Sequence, residues 1–334
     1  MRNLIKVGSA LLFTALLAFS IHLFKVQALK SADFKSRQIL ANESTTVIDI
    51  ADGESGYEIA RNLFDKKVVA STESFYRLAV SDSRSKGISA GQHALSLHIS
   101  AKQALDQLLD AKRMPGLIKV IEGQWRSEIL EKMTANGFTN LTKAIPQLKL
   151  PTGFDATEGV FFPAQYSFAR GTSSVVALQS MIDKFKNEAG KLGLFATKDP
   201  KANLTIASLV QAEGDPTDYA KIARVIFNRL KIGMPLQLDT TVQYVLKKRG
   251  SVYLSAKSTL INSPYNTYKH YGLPIGPIGS PGAAAIDAAL HPAEGDWLFF
   301  ITVKPGDTRF TKSQNEFLKW KELYLKNLKA GLFK

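Results

Sequence analysis

The side chains best placed to do chemistry lie between Asn203 and Gly282, and Glu213 leads them. It closes the run Ala207-Ser208-Leu209-Val210-Gln211-Ala212-Glu213. On a helix Ile206, Val210 and Glu213 share one face, with Leu209 beside them. The carboxyl therefore ends an apolar stripe, where burial disfavours its charged form and raises its pKa. A carboxylic acid held protonated near neutral pH is what a general acid requires.

Other groups cluster around it in sequence. In Val225-Ile226-Phe227-Asn228-Arg229-Leu230, Arg229 shares a buried side with Ile222, Ile226 and Leu230, and Asn228 lies just off it. An Arg on a largely apolar face needs an anionic partner, either a structural carboxylate or a ligand group. Asp239 ends Gly233-Met234-Pro235-Leu236-Gln237-Leu238-Asp239; it fits the cap of a helix carrying Val242, Tyr244 and Leu246, and it equally fits a cleft. Tyr265, Asn266, Thr267 and Tyr268 offer donors, acceptors and stacking faces suited to a polyhydroxylated ligand. The Pro- and Gly-rich run Gly272–Gly282 behind them is a rigid, shaped loop, of the kind that carries function. Glu158 opens the aromatic run Glu158-Gly159-Val160-Phe161-Phe162-Pro163, with Tyr166 and Phe168 beyond. Pro163 ends any helix there, so these aromatics sit on a turn or strand, packing a core or lining a sugar-binding cleft.

The elements that must position these groups follow from periodicity and punctuation. Asn203 is the expected cap of a helix over Leu204–Glu213, which Gly214 stops. Asp215-Pro216 is the expected start of a second helix running to about Leu230. Upstream, 46–50 reads as a strand, 57–64 and 73–80 as helices, 91–99 as a strand and 101–111 as a helix. Pro115-Gly116 marks a boundary, followed by a strand over 117–121 and a helix over 124–135. The expected fold class is α+β, with a small strand–helix–helix–strand–helix module ahead of a mixed domain that carries the acid on a helix.

Bulk properties narrow the field. A length of 334 residues suggests about two domains. The net charge of +14 favours anionic partners, yet no basic block interleaved with aromatics and no nucleic-acid fold signature appears, so nucleic acid is not expected as a partner. The absence of cysteine removes disulfides, thiolate metal sites and a thiol nucleophile. His22, His93, His98, His270 and His291 are scattered without metal-ligand spacing, and there is no Gly-rich phosphate loop or Gly-x-Ser-x-Gly elbow. No cofactor or metal is expected.

At the amino terminus Val7–Val26 is a predominantly apolar stretch behind Arg2 and Lys6. About 20 such residues suffice to cross a bilayer. A cleaved signal peptide is the rival reading, with Val26-Gln27-Ala28 as its cleavage site; the length favours an uncleaved anchor. Either way the rest of the chain is expected on the extracytoplasmic side of a cell membrane.

In order and spacing, the runs ending at Glu213, Leu230 and Asp239, with Tyr265-Asn266-Thr267-Tyr268 and Gly272-Leu273-Pro274, resemble the endolytic murein transglycosylases of the YceG-like family. The resemblance spans nearly the whole chain. It implies a cytoplasmic terminus at 1–6, an anchor at 7–26, a linker at 27–44, a LysM-like module at 45–115 and a YceG-like catalytic domain at 116–334. It implies cleavage of nascent peptidoglycan glycan strands between MurNAc and GlcNAc, with formation of 1,6-anhydroMurNAc and termination of strand elongation, and peptidoglycan synthases as partners. In that family the acid is the second Glu of an Ile-Glu-x-Glu-like stretch; here the first position is Gln211 and the second Glu213. Glu213 is then the catalytic residue, and Asn228, Arg229, Asp239, Tyr265, Asn266, Thr267, Tyr268 and Glu158 are the substrate-binding candidates. Some relatives carry a His-x-Phe motif and a later His near the last helix, where this chain has Thr308-Arg309-Phe310 and Phe317. Two other functions fit less well: a non-catalytic peptidoglycan-binding scaffold of the elongation machinery, and a muramidase that uses water.

Overall fold

A computed structural model describes residues 31–40, 43–51, 53–168, 171–249, 255 and 257–333. The expected cytoplasmic terminus and the anchor at 7–26 lie outside the described residues. Among those described, no helix is long and apolar enough to cross a membrane. The fold is mixed α+β and divides into two units.

The first unit takes in the described residues up to Leu117 together with Ser167 and Phe168. Strands β1 (Thr45–Ile50) and β2 (Gly91–Ser96) pair antiparallel, with Ile48 opposite His93. Helices α1 (Gly56–Asp65) and α2 (Thr72–Ser81) lie between them in the chain, and α3 (Ala101–Leu108) follows. The expected element order is present. Ser55 with Glu58, and Ser100 with Gln103, form capping boxes that satisfy the first amides of α1 and α3. Ile48 and Ile50 alternate inward from β1 and meet Leu63, Phe75, Leu95 and Leu105 in one core. α3 ends three residues before the expected 111, because the Asp110 side chain accepts from the Lys112 amide and starts a separate 3-10 turn at Ala111–Arg113.

The second unit covers Ile118–Tyr166 and 171 onward. It opens near a short ribbon of β3 (Leu117–Lys119) and β4 (Gln165–Ser167). Helices α4 (Arg126–Ala135), α5 (Leu141–Ala144), α6 (Ser174–Lys191), α7 (Pro200–Glu213), α8 (Tyr219–Lys231), α9 (Asp239–Leu246) and α10 (Ala283–Leu290) follow. The chain ends with a hairpin of β5 (Phe299–Lys304) and β6 (Asp307–Thr311), against which α11 (Gln314–Lys329) packs. Helix α7 sits at the centre, touching α8, α9 and α10.

Seven consecutive residues of α7, Leu204–Val210, are buried. The expected single apolar stripe is thus a helix whose middle is buried on all sides. Its buried hydroxyls remain satisfied: Thr205 donates to the Lys201 carbonyl at 2.8 Å and Ser208 to the Thr205 carbonyl at 2.7 Å.

Three expected helix starts move. α7 is capped by Asp199, whose carboxylate accepts from the Ala202 amide at 2.9 Å, with Pro200 in the first turn; Asn203 lies inside the helix. α8 begins at Tyr219, because Asp215–Asp218 closes a turn first, through the Asp218 amide and the Asp215 carbonyl. α4 begins at Arg126, because the Gln124 side chain accepts from the Ile121 amide. The aromatic run packs inward: Val160 and Phe161 are fully buried and Phe162 nearly so, and the Tyr166 hydroxyl donates to the Phe162 carbonyl at 2.7 Å. Of the two roles open for these aromatics, core packing is the one realised.

Replacing Asp199 by Ala is expected to destabilise the fold by about 1 kcal/mol through loss of the cap. Asn203→Ala should change stability by less than about 0.5 kcal/mol. Urea unfolding of the two variants checks this; equal effects would refute the assignment of the cap.

Candidate active site

Glu213 is the last residue of α7, and Gly214 lets the chain leave the helix tightly against α8. A Cβ at Gly214 would lie 2.3 Å from Ile222 Cδ1, so another residue there would force the Ile222 side chain to turn aside. The Glu213 carboxyl is part-buried and accepts a short hydrogen bond from the Thr240 hydroxyl on α9. Burial pushes its pKa up to about 7; the Thr240 bond pulls the other way, Asp239 raises it further and Arg229 lowers it.

The carboxyl opens into a cavity of about 590 Å³. Arg229, Asp239 and Tyr268 line the same cavity, so the structure brings together four of the nine site residues expected from sequence. Arg229 is 9% exposed, and its guanidinium donates to the carbonyls of Leu298 and Leu236, each at 2.6 Å, while stacking 5.6 Å from the Phe299 ring centroid. The anion expected for it is replaced by carbonyl dipoles, leaving its charge to act on Glu213. Burial lowers the Arg229 pKa, against the opposing influence of Glu213 and Tyr268. Asp239 is the first residue of α9 rather than its cap, and it accepts a short hydrogen bond from the Tyr268 hydroxyl. Burial and that bond both raise the tyrosine pKa.

The remaining candidates work behind the cavity wall. Asn266 is 1% exposed; its amide donates to the carbonyls of Thr259 and Ile261, and its oxygen accepts from the Tyr268 amide. Thr267, equally buried, accepts from the Leu238 amide at 2.9 Å and bonds Thr241. Its carbonyl accepts from the Gln237 amide, holding Gln237 at the positive φ of 47° in the cavity wall. Asn228 donates to the carbonyls of Gly295 and Trp297 ahead of β5. These three side chains are committed to the protein's own backbone.

Glu158 and Tyr265 lie in a second, smaller cavity of about 170 Å³ with Lys201 and Pro277. The Glu158 carboxylate is 5% exposed and accepts from the Arg126 amide at 2.9 Å and the Tyr244 hydroxyl at 2.7 Å, tying α4 to α9. Burial raises its pKa. Tyr244 in turn packs on Tyr265 at 4.9 Å. The segment 265–268 thus sends one tyrosine to each cavity.

The Pro- and Gly-rich loop is anchored on α7. Ser208 accepts from the Ile278 amide and Gln211 from the Gly282 amide, each at 3.0 Å. Gln211 also donates to the Tyr219 hydroxyl, so the residue at the departure from the family pattern holds loop and helix together. Gly159, at φ +84°, passes where a Cβ would come within 2.7 Å of Pro277.

Several cavity residues were not singled out from the sequence. Thr240 directly follows Asp239 in the chain, but its partner lies 27 residues away. Phe300, Ile301 and Thr302 come from β5, and Phe317, Lys321, Tyr324 and Leu325 from α11. The spacing of the last four on one helical face was the available signal. At the positions where some relatives carry His, Thr308 bonds Thr302 at 3.0 Å, and Phe317 stacks on Phe299 at 5.3 Å while lining the cavity.

A family model described as the YceG-like family matches residues 48–322. The chain is 31% identical over 315 residues to a Bacillus subtilis protein named endolytic murein transglycosylase, covering 85% of this chain and 86% of that one. A protein of the same name from Streptococcus pneumoniae is 32% identical over 225 residues, covering 58% of this chain and 40% of that one. A 2.6 Å crystal structure of a yceG-like protein from Listeria monocytogenes superposes with a TM-score of 0.53 at 26% identity, covering 83% of this chain and 99% of that one.

Two outcomes follow from the geometry. The folded-state pKa of Glu213, about 7, lies above the ordinary 4.5, so the stability it contributes is full below pH 4.5 and is lost as pH rises through 7. Glu213→Gln should therefore match the parent near pH 4 and exceed its stability by about 1–2 kcal/mol at pH 8, allowing for partial solvent screening. Thermal unfolding at both pH values measures this, and a pH-independent difference would contradict it. Asn266→Ala should cost about 2–3 kcal/mol in urea unfolding, because buried partners lose their bonds.

Proposed function

Since the chain belongs to the YceG-like family, we propose that it cleaves peptidoglycan glycan strands between MurNAc and GlcNAc as an endolytic lytic transglycosylase, with Glu213 as its acid. The observation that carries this is a carboxyl with a pKa near 7 facing a cavity large enough for sugar residues. At that value both protonation states are accessible at neutral pH, as a group that first gives and then takes a proton requires.

Thr240 holds Oε1, which leaves Oε2 to carry the proton. Glu213 donates that proton to the glycosidic oxygen, the C1–O bond of MurNAc breaks, and GlcNAc leaves as an alcohol. The positive charge on the MurNAc ring is oxocarbenium-like. The resulting carboxylate takes the proton of the MurNAc 6-hydroxyl as O6 attacks C1. The 1,6-anhydro ring forms, Glu213 regains its proton, and no water is consumed. Arg229 favours the carboxylate of the second step, while burial and Asp239 favour the acid of the first. Asp239, Tyr268 and Gln237 border the sugar, with Asn228, Asn266 and Thr267 fixing the wall from behind.

The 45–115 unit is a LysM-like module that holds the strand. Its β1-α1-α2-β2 order and a cavity of about 460 Å³ beside Ile50, Phe75 and Tyr76 support this. The apolar stretch at 7–26 anchors the enzyme in the cell membrane, with the catalytic domain outside. From there it reaches nascent strands beside the peptidoglycan synthases and terminates their elongation.

Incubation with purified peptidoglycan, followed by mass spectrometry, should yield anhydro-ended fragments. Glu213→Gln should lower their release by about 10²-fold or more. Reducing ends would instead assign the attack to water with Asp239 as base, and no Glu213-dependent cleavage would leave a binding scaffold.

A further inference from the structure

The carboxy-terminal helix faces the Glu213 cavity with a charge that nothing in the protein uses. Phe317, Lys321, Tyr324 and Leu325 fall on one face of α11 and all line the cavity. No residue of this 16-residue helix is fully buried: Phe317, stacked on Phe299, is half-buried with Tyr324 and Leu325, while Lys321 is exposed. The Lys321 ammonium makes no hydrogen bond or ion pair among the described residues. Of the two cations lining the cavity, Arg229 is engaged by carbonyls and Lys321 has no such partner among the described residues. The acids of the cavity are also engaged, Glu213 by Thr240 and Asp239 by Tyr268.

We propose that Lys321 is a specificity-determining residue that pairs with a carboxylate of the peptide carried on MurNAc. The proposal rests on the Glu213 cavity holding the glycan. The N-acetylated sugar rings are neutral and suit the aromatic faces of Phe317 and Tyr324. The anions of the polymer lie in the peptide attached to the lactyl group of MurNAc. A lysine on a flexible stem above an aromatic wall meets such a group as a point charge, without demanding one fixed geometry. The enzyme is thereby tuned to glycan that still bears peptide carboxylates.

The test uses the full chain and two forms of the same peptide-bearing glycan: untreated, and with its carboxylates converted to neutral amides by carbodiimide and ammonia. The wild type should show a kcat/KM about fivefold or more higher on the untreated glycan. Lys321→Ala should bring the two within about twofold, mostly through KM; Lys321→Arg should keep the preference and Lys321→Glu should invert it. Lys321 is exposed on α11, so these variants leave the core intact. A Lys321→Ala enzyme that keeps the wild-type ratio, or a wild type with no preference, overturns the proposal. If the wild type cleaves neither form, the transglycosylase assignment is what fails. Calorimetric binding of soluble fragments then decides the Lys321 question: tighter binding of the untreated form that Lys321→Ala abolishes supports it, and equal Kd values overturn it.

Discussion

The burial of the middle of helix α7 governs the rest of the second unit. Leu204–Val210 are enclosed on every side, so the helix cannot shift without opening the core. Its last residue, Glu213, is carried to the edge of that core and left partly desolvated at a helix carboxy terminus, where backbone carbonyls also disfavour negative charge. A carboxyl placed there holds its proton to about pH 7. The same group on a solvated loop would be ionised and useless as an acid.

Around this fixed point the polar groups divide into two sets. Ser208 and Gln211 bind the Pro- and Gly-rich loop to α7, Asn266 and Thr267 lock the segment between the two cavities, and Asn228 steadies the approach to β5. Each makes at least one bond to backbone. Glu213, Asp239 and Tyr268 are instead paired with side chains at the cavity edge, where a ligand can displace or adjust them. Buried, saturated groups thus hold the geometry, and the half-exposed ones face the cavity.

The hairpin and α11 complete the cavity from the far end of the chain. Their aromatics stack on one another, with Phe299 on Phe317 and Phe300 on Phe310, and Asn327 ties α11 to the Val303 carbonyl at 2.7 Å. The contribution of this wall is shape, apolar contact and the charge of Lys321.

Local information was enough for much of this. Periodicity marked the strand–helix–helix–strand–helix order of the first unit and helices α4, α7, α8 and α9 of the second, because side-chain phase along a helix or strand is set by neighbours in sequence; it did not mark the 18-residue α6. It placed Glu213 at the end of an apolar stripe, and with that the direction of its pKa. Motif order pointed to the family. Helix starts were less legible: Asn203, Asp215 and Asp239 all have capping side chains, and the choice among them and Asp199 or Leu238 depends on backbone angles that a residue type only biases. Only the tertiary structure decided that the middle of α7 is buried all round, that Thr240 holds Glu213, that Asn266 and Thr267 face inward, and that Phe317 and Lys321 share the cavity. The bonds of Thr240 to Glu213, Thr241 to Thr267 and Gly282 to Gln211 join residues 27, 26 and 71 positions apart, and nothing in the local sequence encodes which distant side chain will arrive.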